Sequence, residues 1–115
     1  MKKSLLFLVF SIFTFTSSVF AQNQLPTAIT LSALTVDENS AVGTEVGVFT
    51  TTDLDVADTF TYTLVVGTGD TDNASFSISG DQLLTAEVFD FETKVSYEVR
   101  IETNDGNGGV YSQYF

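Results

Sequence analysis

"VSYEVRIET", residues 95–103, decides the fold. In an extended chain successive side chains point to opposite faces, so Val95, Tyr97, Val99 and Ile101 share one face while Ser96, Glu98, Arg100 and Glu102 share the other. An apolar, β-branched or aromatic face backed by a polar one is what a half-buried strand requires. The same alternation sets Phe60, Tyr62, Leu64 and Val66 inward in "FTYTLVV" (60–66), with Thr61 and Thr63 opposite. Shorter period-two runs occur at "AITLSALTV" (28–36), "TEVGVFT" (44–50), "FSIS" (76–79), "QLLTAEV" (82–88) and "VYSQYF" (110–115). They place Ile29 and Leu31, Val46 and Val48, and Phe76 and Ile78 inward. No window repeats at the helical period of about 3.6. Glycines punctuate the gaps: Gly43, Gly67, Gly69, Gly80, then Gly106, Gly108 and Gly109. The expected fold is all-β, an antiparallel Greek-key β-sandwich of about seven strands.

Upstream of these runs the chain opens with Lys2 and Lys3, continues through the apolar "LLFLVFSIF" (5–13) and reaches the small residues Val19 and Ala21. That is the pattern of a secretory signal cleaved after Ala21. The apolar run is shorter than the roughly 20 residues a spanning helix needs, and no later segment is apolar enough to hold a membrane. The expected organisation is a signal peptide over 1–21 and a single domain over 22–115, secreted or displayed at the cell surface, with no membrane insertion after cleavage. Beyond the leader only Lys94 and Arg100 are basic, against 15 acidic residues. Such a charge repels nucleic acid. It also opposes compaction, and bound cations would relieve it. Cysteine is absent, as are histidine and tryptophan, so the exported domain has no disulfide staples.

The carboxylates fall mostly where the runs end. Asp37 and Glu38 stand in "VDENS", Asp53, Asp55 and Asp58 in "TDLDVAD", Asp90 and Glu92 in "VFDFET", and Asp105 in "TNDGN". In an extended chain Asp90 and Glu92 would project to one side and Phe89 and Phe91 to the other. Two like charges 4 Å apart repel by about 4 kcal/mol at an effective dielectric constant near 20, so such a pair calls for compensation. Connections in a sandwich gather at its two ends, where carboxylates distant in sequence can meet. Calcium takes roughly 6 to 8 oxygens from carboxylates and carbonyls on adaptable loops, and the lack of histidine and cysteine disfavours zinc or copper. The plain alternative is that the aspartates solvate turns. An EF-hand loop does not fit: counted from Asp53 it has Ala57 and Asp58 where an acid or amide and a glycine belong, and counted from Asp70 it has Ala74 and Ser75. "NASF" at Asn73 is a glycosylation sequon.

Taken in order, "VDENSAVGTEVGVF", "TTDLD", "FTYTL", "FSISGDQLLT", "FDFET" and "YEVRIETNDGNGG" resemble a cadherin-type repeat of the kind found in bacterial exported proteins. The resemblance runs from about Pro26 to Ser112. It implies that the family's x-Glu-Asn motif falls on Asp37, Glu38 and Asn39, its Asp-x-Asp on Asp53 and Asp55, and its Leu-Asp-Arg-Glu on Phe89, Asp90, Phe91 and Glu92. Its late aspartate falls on Asp105. Glu38, Asp90 and Glu92 would then hold calcium (Ca2+) toward the next repeat, while Asp53, Asp55 and Asp105 would hold it toward the previous one. The sequence departs from the family where Asn23, three residues before Pro26, stands in place of an aspartate, where Phe91 replaces an arginine, and where "VADT" follows Asp-x-Asp. The final strand is expected to be incomplete at Phe115.

The function this implies is a calcium-binding module of an exported cell-surface or secreted protein, acting in calcium-dependent cell adhesion, homophilic or otherwise, or as a calcium-rigidified spacer. Its partners would be neighbouring or identical cadherin-like domains, or a cell-surface protein or glycan. The alternative is a carbohydrate-binding or spacer module of a larger exported enzyme, although most aromatics occupy inward positions instead of a solvent-facing platform. Catalysis by the chain itself is not expected. Paired carboxylates can serve a glycosidase, but a small sandwich offers no cleft, no tryptophan to stack a sugar and no histidine to relay protons.

Overall fold

The computed structural model describes Thr14 and residues 21–115; the leader expected over 1–21 lies, apart from Thr14 and Ala21, outside the described residues. Seven strands form: β1 (Ala28–Leu31), β2 (Glu45–Thr52), β3 (Thr61–Leu64), β4 (Phe76–Ser79), β5 (Gln82–Thr85), β6 (Arg100–Asn104) and β7 (Val110–Tyr114). They make two antiparallel sheets, ordered β1-β2-β5-β4 and β3-β6-β7. The chain changes sheet between β2 and β3, between β3 and β4, and between β5 and β6, so the expected all-β sandwich is the architecture observed. Among the described residues no helix is long and apolar enough to cross a membrane.

The inner faces meet through Ile29, Phe49, Tyr62, Leu83, Val99 and Ile101. Burying a side chain of this size stabilises by about 1.5–3 kcal/mol. Phe49 stacks on Tyr62 with ring centroids 5.0 Å apart, linking the sheets. The Thr51 hydroxyl lies 2.9 Å from the Tyr62 hydroxyl and 2.7 Å from that of the fully buried Thr103. This satisfies polar atoms that would be costly inside an apolar core.

The alternation read from the sequence fails at three places, each for a local reason. In β2 the register shifts between Glu45 and Gly47. The bulge turns Phe49 into the core, while Val48 stays half-buried outside the core cluster. Val66 lies past the end of β3 and is 88% exposed, because the chain has already entered the Gly67–Gly69 turn. Val95 is 69% exposed and Tyr97 half-buried, because both lie ahead of β6, which begins at Arg100, and Val95 sits in a bend that follows the 90–94 turn. Asn73, the sequon residue, donates to the Val65 carbonyl and accepts from the Arg100 N–H, so its amide serves as a brace between β3 and β6.

Candidate metal centre

Two ends of the sandwich carry the carboxylates, and β2, eight residues long at about 3.4 Å each, separates them. At the end where β2 stops, Asp53, Asp55 and Asp58 occupy one tight loop. The Asp53 carboxylate accepts the Asp55 N–H at 2.8 Å, and the Asp58 N–H donates to the Asp55 carbonyl at 3.0 Å. The loop thereby folds on itself, and one carboxylate oxygen from each aspartate falls within 4.8 Å of the others. The segment before β1 closes over it, with the Gln24 N–H donating to the Asp55 carboxylate at 2.6 Å.

Asp105 enters the same end from the β6–β7 turn but is occupied differently. It is 1% exposed. Its Oδ1 accepts the N–H groups of Asn107 and Gly109 at 2.7 and 2.8 Å, and its Oδ2 accepts the Asn23 side-chain amide at 2.8 Å. A Cβ on Gly109 would collide with this carboxylate and with Pro26, so the turn needs glycine there to wrap the charge. The Asn107 amide also donates to Asp58 Oδ1 at 2.8 Å, tying the two acidic loops together.

The electrostatics separate the two groups. Removal from solvent, followed by the neighbouring charges of Asp55, Asp105 and Asp53, pushes the Asp58 carboxyl up, against the Asn107 hydrogen bond. The Asn23 hydrogen bond, helped by the N–H groups of Asn107 and Gly109, holds Asp105 below the usual carboxylate range in spite of its burial. Asp105 is thus a satisfied anion, and Asp58 a frustrated one. Asp53 Oδ2 and Asp58 Oδ2 are out of solvent and have no hydrogen-bond partner. An acceptor out of solvent without a partner is unfavourable, and a cation between these oxygens would compensate them. The donor set is all oxygen and its geometry could hold a metal ion.

The other expected set, Glu38, Asp90 and Glu92, is not gathered in this way. All three are exposed. The Glu38 carboxylate accepts the Phe91 N–H at 3.2 Å, which brings the "VDENS" loop against the 90–94 turn. That turn is not the extended chain expected from "FDFET": the N–H groups of Thr93 and Lys94 both donate to the Asp90 carbonyl. The Asp90 carboxylate accepts the Glu92 N–H at 3.1 Å and the Thr93 hydroxyl at 2.8 Å. Phe89 is buried while Phe91 is 60% exposed, so the two rings do not share a face.

Asp53, Asp55 and Asp105 lie at one end, Asp53 and Asp55 grouped with Asp58 and Asp105 tied in through Asn23 and Asn107, three residues that the sequence reading did not place among the ligands. Asp58, in the same "TDLDVAD" run, lies three residues after Asp55, the spacing of a turn, which is the signal that could have added it to the ligand set. Nothing local marks Asn107, and Asn23, read only as standing in place of an aspartate, is brought to Asp105 by tertiary contact. No protein-family model matches the chain.

Proposed function

We propose that the Asp53–Asp55–Asp58 end binds calcium, and that the domain is a calcium-stabilised module of an exported cell-surface protein, similar to a cadherin-type repeat, serving adhesion or spacing between domains. The observation that carries this reading is the pair of buried, unpartnered oxygens, Asp53 Oδ2 and Asp58 Oδ2, inside a triad whose oxygens lie within 4.8 Å. Oxygen-only donors on a loop suit calcium, which tolerates irregular shells of roughly 6 to 8 ligands. Asp53, Asp55 and Asp58 would hold the ion, and Asp105, already committed to Asn23, Asn107 and Gly109, would position the loop beneath it. Fewer carboxylates than ligands means that water or an adjoining segment completes the shell. Affinity in the range of extracellular modules follows, with dissociation constants of about 0.1–1 mM. The leader pattern and the absence of cysteine support an exported module braced by ions.

Calorimetric titration with calcium tests the reading, with magnesium and sodium chloride of matched ionic strength alongside. Asp53→Asn and Asp58→Asn should abolish the calcium heat, whereas Asp70→Asn, in the Gly67–Asp70 turn, should leave it intact. An equal loss at Asp70, or equal stabilisation by sodium chloride, would mean general screening of an acidic chain and not a site. A glycan array read with and without calcium separates an adhesive or spacer module from a carbohydrate-binding one.

A further inference from the structure

A covalent feature of the acidic end does not depend on calcium. Asn107 is the one asparagine of the chain that is followed by glycine. Asparagine is a thermolabile residue, because the backbone nitrogen of the next residue can attack its side-chain carbonyl carbon. The reaction is intramolecular and so has proximity in its favour. What restrains it in a folded chain is the side chain and the hydrogen bond of the residue that follows. At Asn107 and Gly108 neither restraint is present. Both residues are exposed, and among the described residues the Gly108 N–H donates to no acceptor. Gly108 has a φ of +100° and nothing within 4 Å of where a Cβ would stand, so this turn keeps the backbone freedom peculiar to glycine. The amide nitrogen that would leave donates to Asp58 Oδ1 at 2.8 Å.

The neighbouring positions are closed by contrast. After Asn104, the Asp105 N–H is bound to the Gly109 carbonyl at 3.0 Å. After Asp105, the Gly106 N–H is held by Asn104 Oδ1 at 2.8 Å. Asn73 has both ends of its amide engaged, on Val65 and Arg100, and the Asn23 amide is fixed on Asp105.

We propose that Asn107 is a self-modification site, whose conversion to a carboxylate unties the 53–58 loop from the β6–β7 turn. The Gly108 nitrogen gives up its proton to water and forms a bond to Asn107 Cγ. The Cγ–Nδ2 bond breaks, and Nδ2 takes up a proton and leaves as ammonia. One water molecule then opens the resulting cyclic imide at either carbonyl, which yields aspartate or isoaspartate. The amide that donated to Asp58 is thereby replaced by an anion, and attraction at this contact turns into repulsion. Isoaspartate also lengthens the main chain inside the turn whose N–H groups wrap Asp105.

The test ages the purified chain in mildly alkaline buffer containing a chelator, with ammonia release and peptide mapping as readouts. Aspartate and isoaspartate should accumulate at position 107 while Asn23, Asn73 and Asn104 stay intact. Asn107→Gln, which would have to close a larger ring, and Gly108→Ala, whose Cβ hinders the attack, should each slow ammonia release about tenfold. Asn107→Asp supplies the product directly and should lower Tm in chelator by roughly 4–8 °C. The fall should be smaller when Asp58→Asn is also present, since the opposing charge is then gone. An intact Asn107, conversion as fast at the other asparagines, or an equal fall of Tm with and without Asp58→Asn overturns the proposal. Every arm runs without calcium, so failure here leaves the calcium reading untouched.

Discussion

Asp58 and Asp105 share one loop cluster, yet their carboxyls are displaced in opposite directions. For Asp58 the folded pKa lies above the unfolded 3.8, so the folded chain holds a proton more tightly there, and without metal stability falls as pH rises from 3.8 through the raised value. For Asp105 the folded pKa lies below 3.8, so its contribution is present above 3.8 and is lost as pH falls through the lowered value. Asp58→Asn should therefore leave Tm in chelator unchanged or raised while removing the calcium-induced rise. Scanning calorimetry with and without calcium reads both effects, and a fall in chelator would mean that the Asp58 charge is compensated without an ion. Asn23→Ala should act the other way. It leaves Asp105 Oδ2 without its amide donor, so Tm at neutral pH drops and the loss of stability on acidification below pH 3.8 becomes shallower. An unchanged acid limb would show that the N–H groups of Asn107 and Gly109 hold the charge alone.

At the scale of elements, β2 links everything, because it pairs with β1 on one edge and β5 on the other. Its bulge depends on Gly47, where a Cβ would lie 2.9 Å from the Ala33 nitrogen and 3.0 Å from the Leu31 side chain. Gly47→Ala should destabilise by about 1–3 kcal/mol, the usual cost of overpacking; urea unfolding measures it, and a change below about 0.5 kcal/mol would show that the Ala33 segment yields freely. The approach to β6 has its own clamp. Asp72 accepts the Glu98 N–H at 2.8 Å and binds the Lys94 ammonium, and the Lys94 nitrogen sits 4.7 Å from the Tyr97 ring centroid. Burial opposes ionisation of Asp72, but Lys94 and the Glu98 N–H outweigh it and hold the carboxyl below 3.8. Asp72→Asn should cost about 0.5–1 kcal/mol, as exposed ion pairs do, and speed hydrogen exchange at Glu98. Exchange unchanged at Glu98 would assign the ordering of residues 94–98 to Tyr97 packing on Phe89, whose ring centroids lie 4.4 Å apart.

For the whole molecule, the two ends should respond unequally to calcium. At 1 mM ion and a dissociation constant of 0.1–1 mM the stabilisation is about 0.4–1.4 kcal/mol, which raises Tm by roughly 2–10 °C in a domain of this size. Asp53→Asn should remove most of that rise. Glu38→Ala, or Asp90→Asn with Glu92→Gln, should remove less, because those carboxylates are exposed and Glu38 and Asp90 already accept backbone N–H groups. A larger loss at Glu38 than at Asp53 would move the principal site to the other end.

The sequence by itself determined the sandwich, because period-two alternation around Tyr62, Leu83 and Ile101 and glycine-marked turns are local properties that any stable packing must respect. It also determined that the carboxylates collect at strand ends, since turns are where aspartate is accommodated. Which of them share a site was decided by tertiary structure. Asn23 and Asp105 meet across 82 residues of chain, and the burial that leaves Asp53 Oδ2 and Asp58 Oδ2 without partners exists only once the β1 approach and the β6–β7 turn close over them. The same holds for Val95, which alternation places inward and which the fold leaves exposed in a bend ahead of β6, and for Phe91, which alternation sets on the side of Phe89 and which the hydrogen-bonded 90–94 turn carries away from it into solvent.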